Sequence, residues 1–220
     1  MNAGNMSNSD QKAQAELDFL AAIERGEVVT QMALKTRIGV SVGMVNALVK
    51  RAVSKGYAKV SQAPYKRYAY YLTPKGFTEK SRLVAEYLET SLDFFRQARS
   101  QYAALFARAK ASGYQHVALA GQGELTEIAL LAAMSEGVPI VGIVDPAAAS
   151  DGRLGVPVVS SIDELNVVDI IVLCETRAPQ LLYEELCKNW DKSKIMAPAL
   201  LRITPDRKEL ITRAREDSGR

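Results

Sequence analysis

The sequence predicts a chain of two parts, an α+β unit followed by an α/β unit, joined by one long helix. Three observations predict it. Apolar residues recur at three-to-four spacing through residues 10–55 and are followed by two short strand-like runs, the second rich in tyrosine. Residues 79–112 contain neither proline nor glycine. From Gly113 onward, short apolar runs alternate with helical patterns, which implies a parallel, doubly wound sheet.

Charge divides the same way. Residues 1–80 hold 12 Lys and Arg against 6 Asp and Glu, whereas residues 113–203 hold 6 against 12. A basic front part attracts polyanions such as nucleic acid, and the acidic part behind it suggests a different partner. No apolar run reaches the roughly 18–20 residues of a membrane span. The opening MNAGNMSNSD lacks a basic start and an apolar stretch, so it reads as a disordered leader (1–9) of a cytoplasmic protein. Two cysteines and one histidine, His116, are too few for a zinc site, a disulfide framework or a histidine-based hydrolase.

In the front unit (10–78), Leu17, Leu20, Ala21 and Ile23 mark a helix that stops near Gly26. A short helix follows from Thr30, as N-cap, to Ile38. Gly39-Val40-Ser41 makes a tight turn, with Ser41 capping a third helix, Val42 to Lys55, which ends at Gly56. Val45, Leu48, Val49 and Ala52 form its inward face. A helix–turn–helix of this kind places the start of its second helix in the major groove. The residues so placed are Ser41, Val42, Gly43, Asn46 and Ala47, with Lys50 and Arg51 further along suited to phosphates. Tyr57–Val60 and Tyr68–Leu72 read as strands of a hairpin, a wing whose tip carries Lys66 and Arg67. The plain alternatives are a three-helix subdomain and a solvated basic turn.

The run IGVSVGMVNALVKRAVSKGYAKV, then YAYYLTPKGFTEKSRL, resembles the MarR-type winged helix-turn-helix regulators, in particular a subgroup associated with exopolysaccharide loci. The Leu72-Thr73-Pro74-Lys75-Gly76 step after the wing is part of the likeness, which covers about residues 10–112. It implies a homodimeric transcription factor on palindromic double-stranded DNA. Ala47 departs from it, standing where related proteins often carry a larger side chain, which leaves base preference open.

Residues 79–112 predict a helix of about 50 Å. Val84, Leu88, Ser91, Phe95, Ala98, Tyr102, Leu105 and Ala109 form a heptad seam. The seam reads as a dimerisation element, with packing on the chain's own second part as the alternative.

In the second unit (113–203), His116–Ala120 is a short strand running into Gly121-Gln122-Gly123-Glu124-Leu125. A helix to Glu136 and a buried strand, Pro139–Val144, complete a crossover ending at Asp145, 22 residues beyond Gly123. This is the arrangement of a nucleotide-binding unit: glycines let phosphate approach free N–H groups, and a carboxylate accepts from ribose hydroxyls. Thr126 stands where a third glycine is usual, and Glu124 brings negative charge to the helix start. Further strands are predicted at Val156–Val159, Asp169–Cys174 and Ile195–Ala197. Ligands of such sheets bind at the carboxyl ends of the strands. That rim collects Gly121, Gln122, Gly123, Glu124, Leu125, Asp145, Pro146, Thr176 and the cationic Arg177. The unit resembles the small Rossmann-like domains that precede sugar acyltransferases and accompany sugar-nucleotide enzymes. The resemblance implies a nucleotide, sugar-nucleotide or dinucleotide effector. The glycines serving only the turn, with Asp145 capping a loop, is the alternative. A charged tail (204–220) closes the chain.

No Ser–His–acid or Cys–His set can be assembled from one histidine, and Cys174 reads as a buried small hydrophobe. The function expected is therefore a non-enzymatic, effector-sensing transcriptional regulator. Two alternatives are an enzyme of nucleotide-sugar metabolism with an attached DNA-binding module, and a regulator whose second domain only oligomerises.

Overall fold

The computed structural model describes residues 8–24, 28–29, 31–63, 67–146 and 152–206. The chain divides into two compact units, Met1–Leu92 and Asp93–Arg220.

The first unit begins with α1 (Asn8–Ile23), β1 (Val28–Val29), α2 (Gln31–Ile38) and α3 (Val42–Ser54). Then come β2 (Ala58–Ala63), β3 (Arg67–Leu72) and the start of α4 (Pro74–Ala111). Phe19, Leu20 and Ile23 of α1, Leu34 of α2, Val45, Leu48 and Ala52 of α3, Tyr70 of β3 and Leu83 of α4 make one core. β2 and β3 form the predicted hairpin, and β1 adds a third antiparallel strand beside β3 through Val28–Ala69 and Val29–Tyr68. Three helices with a hairpin directly after the third are a winged-helix arrangement. The Thr30 cap falls outside the described residues.

The Leu72–Gly76 step has a physical explanation. Thr73 shares its hydroxyl proton between the carbonyls of Gly56 (2.6 Å) and Tyr57 (3.1 Å), and its oxygen accepts the Gly76 N–H at 3.0 Å. This caps α4, whose first residue is Pro74, where a missing N–H does no harm. A Cβ on Gly76 would lie 2.0 Å from the Tyr57 carbonyl oxygen, so only glycine fits. The long helix thus starts five residues before the Glu79 that the sequence suggests, and it ends at Ala111.

The second unit carries a five-stranded parallel sheet: β4 (Val117–Ala120), β5 (Ile140–Val144), β6 (Val158–Val159), β7 (Ile170–Leu173) and β8 (Ile195–Met196). Its order is β6-β5-β4-β7-β8, so the chain winds outward in both directions from β4. Helix α5 (Glu124–Glu136) links β4 to β5, and α6 (Pro179–Asn189) lies between β7 and β8. On one face, Val117, Leu119, Ile143, Ile170 and Val172 pack with Ile128 and Ala129 of α5. On the other, Leu173 and Ile195 pack with Tyr183 of α6.

Helix α4 joins the first of these cores. Ala98, Tyr102, Leu105, Phe106 and Ala109 are buried in it, and the Tyr102 and Phe106 rings stack at 6.4 Å. This corrects the seam as a continuous dimer contact: from Ala98 onward it is consumed by the chain's own sheet. Val84 and Leu88 (38% and 52% exposed) and Phe95 (36%) remain at the surface.

Candidate functional site

Two places carry the predicted functional residues, one in each unit. The first is the outer surface of α3. The Ser41 hydroxyl accepts the Met44 N–H at 3.2 Å, so the helix begins where the sequence places it. It ends on Lys55, with Gly56 in the left-handed conformation (φ +75°). Burial of Val45, Leu48 and Ala52 turns the opposite side outward: Gly43, Ala47 and Lys50 are exposed, and Val42 and Asn46 half-buried. Arg51 is exposed too, with 54% of its side chain accessible, but it is ion-paired. Its guanidinium lies 3.3 Å from the Glu16 carboxylate of α1, whose side chain is 91% buried. Glu16 is the residue that sequence reasoning missed here, because nothing local links positions 16 and 51. Of the wing tip, Lys66 falls outside the described residues, and Arg67 is described only as the first residue of β3.

The second place is the carboxyl edge of the parallel sheet. The Gly121 N–H donates to the Val144 carbonyl at 2.9 Å, bringing the first glycine beside Asp145. Gly121 is left-handed (φ +98°), and a Cβ there would lie 2.7 Å from the Glu175 nitrogen. Its glycine is therefore demanded twice over, by backbone conformation and by close approach. Gly123 is extended and has nothing within 4 Å of a Cβ, so its surface is open. Thr126, in place of a third glycine, is wholly buried and donates its hydroxyl to the Gly121 carbonyl at 2.9 Å. The turn that a third glycine would pack is thus pinned by a side chain.

The edge brings together Gly121, Gln122, Gly123, Glu124, Leu125, Asp145, Pro146, Thr176 and Arg177 as the ends of β4, β5 and β7. Leu125 is buried in the core rather than lining the surface. The electrostatics are mixed. Glu175 turns its carboxylate onto the N–H groups of Arg177 (2.5 Å) and Ala178 (3.4 Å), just before α6. Glu127, in the first turn of α5, holds Arg153 at 2.5 Å. Arg153 is a second cation near the rim that the sequence did not place, because its partner Glu127 lies 26 residues away in the chain.

Cys174 is fully buried, and burial pushes its thiol up to about 12, which keeps it protonated at neutral pH. His116 sits at the other end of β4, its Nδ1 3.2 Å from Asp169. Among the described residues, no group of three or more His, Cys, Asp or Glu is placed to hold a metal ion. Nor is any single helix among them long and apolar enough to cross a membrane.

No protein-family model matches the chain, and no curated protein sequence does. Solved structures match part of it. A MarR-family transcriptional regulator from Silicibacter pomeroyi is similar over 40% of this chain and 60% of its own, at 16% identity and a TM-score of 0.34. The PcaV transcriptional regulator from Streptomyces coelicolor, solved with its natural ligand, is similar over 43% and 64%, at 22% identity and 0.34. MepR, a transcription regulator of the Staphylococcus aureus multidrug efflux pump MepA, is similar over 49% and 80%, at 16% identity and 0.34. The chain therefore spans less than two thirds of the first two regulators.

Proposed function

We propose that the chain is a MarR-like transcriptional regulator that grips operator DNA as a homodimer. Its second unit is a Rossmann-like domain that senses a nucleotide or sugar nucleotide. The observation that carries the first half is the Ser41-capped α3, with one face buried and Gly43, Asn46, Ala47 and Lys50 turned outward beside a hairpin. Asn46 suits the edge of an adenine, Lys50 a phosphate, and Ser41 either. The basic charge of residues 1–80 favours approach to a duplex. Val84, Leu88 and Phe95, left bare on α4, suit a second copy of the helix.

Support for the second half is the parallel sheet whose order reverses beside β4, with Gly121–Gly123 at that reversal. Open space over Gly123 admits a phosphate close to the backbone, and Asp145 stands at the end of β5 for a hydroxyl. One observation favours a second reading, in which this unit is only an oligomerisation surface. Glu175 already covers the Arg177 and Ala178 N–H groups just before α6, and Glu124 brings a negative charge to the start of α5, where Glu127 already holds Arg153.

Fluorescence anisotropy against a labelled duplex from the chain's own promoter region, over a salt series, tests the first half. Binding should weaken steeply with salt, and Asn46→Ala should relax preference at one base pair. A flat response refutes it. Mass spectrometry of small molecules retained by the purified protein separates the two readings of the second unit.

A further inference from the structure

We infer that Glu16 is a positioning residue for the DNA-facing helix: it holds Arg51 back from phosphates and leaves Lys50 as the cation that α3 presents. The inference rests on the DNA-binding reading above and names how that surface is set.

Glu16 belongs to α1, and its side chain is only 9% exposed. One carboxylate oxygen lies 3.3 Å from the Arg51 guanidinium. The other is buried and has no hydrogen-bond partner among the described residues. Arg51 is thus the one ion-pair partner seen, among those residues, for a carboxylate that has lost nearly all its water. The Arg51 side chain is itself 54% exposed, so only the Glu16 end of the pair is buried; drawing Arg51 off to a phosphate strands that desolvated carboxylate. The phosphate would also bring its own negative charge towards Glu16.

Helix geometry agrees. At about 100° per residue, Lys50 falls near the centre of the outward face, between Gly43 and Asn46. Arg51 falls about a quarter-turn away, towards the flank where Leu48 is buried. A second acid feels the Arg51 charge. Glu79, near the start of α4, is held below the usual carboxylate range, first by its hydrogen bond from Arg82 and also by the charges of Arg82, Lys55 and Arg51. Arg51 is therefore ion-paired with the α1 carboxylate and within electrostatic reach of one on α4, while no ion pair among the described residues engages Lys50. Two neighbouring cations that look interchangeable in sequence have different tasks: Lys50 meets the duplex, and Arg51 fixes the helix that carries it.

The test uses the full chain and a labelled mixed-sequence duplex, with affinity followed by anisotropy across a sodium chloride series. The slope of log affinity against log salt steepens by about 0.9 for each additional phosphate that the protein neutralises. Lys50→Met should flatten it by about that amount. Arg51→Met should keep the wild-type slope while lowering the melting temperature. Glu16→Gln, which releases Arg51, should steepen the slope by about 0.9. The double variant E16Q/R51M should return to the wild-type slope, and it serves as the arbiter if Arg51→Met fails to fold. Arg51→Met flattening the slope as Lys50→Met does, or Glu16→Gln leaving it unmoved, overturns the inference while leaving DNA binding intact. Absence of any salt-dependent affinity in the wild-type protein overturns the DNA-binding reading, and the inference falls with it.

Discussion

The hydroxyl of Tyr102 on α4 donates a hydrogen bond to the carbonyl of Leu173, the last residue of β7, at 2.9 Å. β8 pairs with Ile171 and Val172 and stops short of Leu173, so the tyrosine serves a carbonyl at the end of the ladder. Both residues are fully buried, and burial raises the Tyr102 hydroxyl well above its ordinary pKa, so it remains a donor. Tyr102→Phe keeps the ring stacked on Phe106 and removes only the donor. The buried carbonyl left unpaired should lower stability by about 1–3 kcal/mol in urea denaturation.

The two glycines of the Gly121–Gly123 turn should behave differently. Gly121→Ala meets both a left-handed backbone, at roughly 1–2 kcal/mol, and the Glu175 nitrogen. It should destabilise the second unit and speed hydrogen exchange at the Arg177 amide, which depends on where Glu175 sits. Gly123→Ala should stay within about 0.5 kcal/mol of wild type. If the turn binds phosphate, that same alanine should weaken ligand retention.

Gly76→Ala should be among the most damaging single changes in the first unit, at about 3 kcal/mol or more, since the added methyl runs into the Tyr57 backbone. Thermal melting compared with Gly43→Ala, at a helical position where a Cβ meets only the Ser41 hydroxyl oxygen at 3.9 Å, isolates the clash from the loss of glycine freedom.

Acid should act through Asp169. Its carboxyl is held below the usual aspartate range, first by the His116 backbone N–H, then by that of Gln115, and also by the His116 ring. A depressed carboxyl adds stability that is complete above its ordinary pKa and is lost as pH falls from there through the depressed value. Urea midpoints measured from neutral pH into acid should therefore fall, and Asp169→Asn should flatten that decline.

Self-association should depend on the bare part of α4. Leu88→Glu places a charge on a residue 52% exposed, so the monomer loses little. Sedimentation should show a dimer dissociating at higher concentration than in the wild type.

Much of the first unit is legible because its signals are local. Ser41, the inward triplet Val45, Leu48 and Ala52, and Gly56 lie within one helix and its caps, where spacing alone decides the outcome. β1 is not legible: two valines become a strand only because Ala69 and Tyr68 are there to pair with them. Gly76 stands in the sequence only as part of the Leu72–Gly76 step, and the need for a glycine there becomes visible with the Tyr57 carbonyl beside it. The α4 seam is legible as an apolar stripe, but periodicity does not say what covers a stripe, and the sheet claims its second half. At the candidate sites, the Gly121 turn and Asp145 follow from the crossover pattern. The roles of Glu16, Glu175 and Arg153 do not, since each depends on a partner's backbone or charge brought in by tertiary packing.

Because Tyr102, Leu105 and Phe106 complete the sheet's core, the gene cannot be divided at Gly113, where composition changes. A fragment beginning there would expose raw sheet, and its counterpart would trail an oily stalk prone to clumping. Scissors placed ahead of Asp93 give each half its own interior.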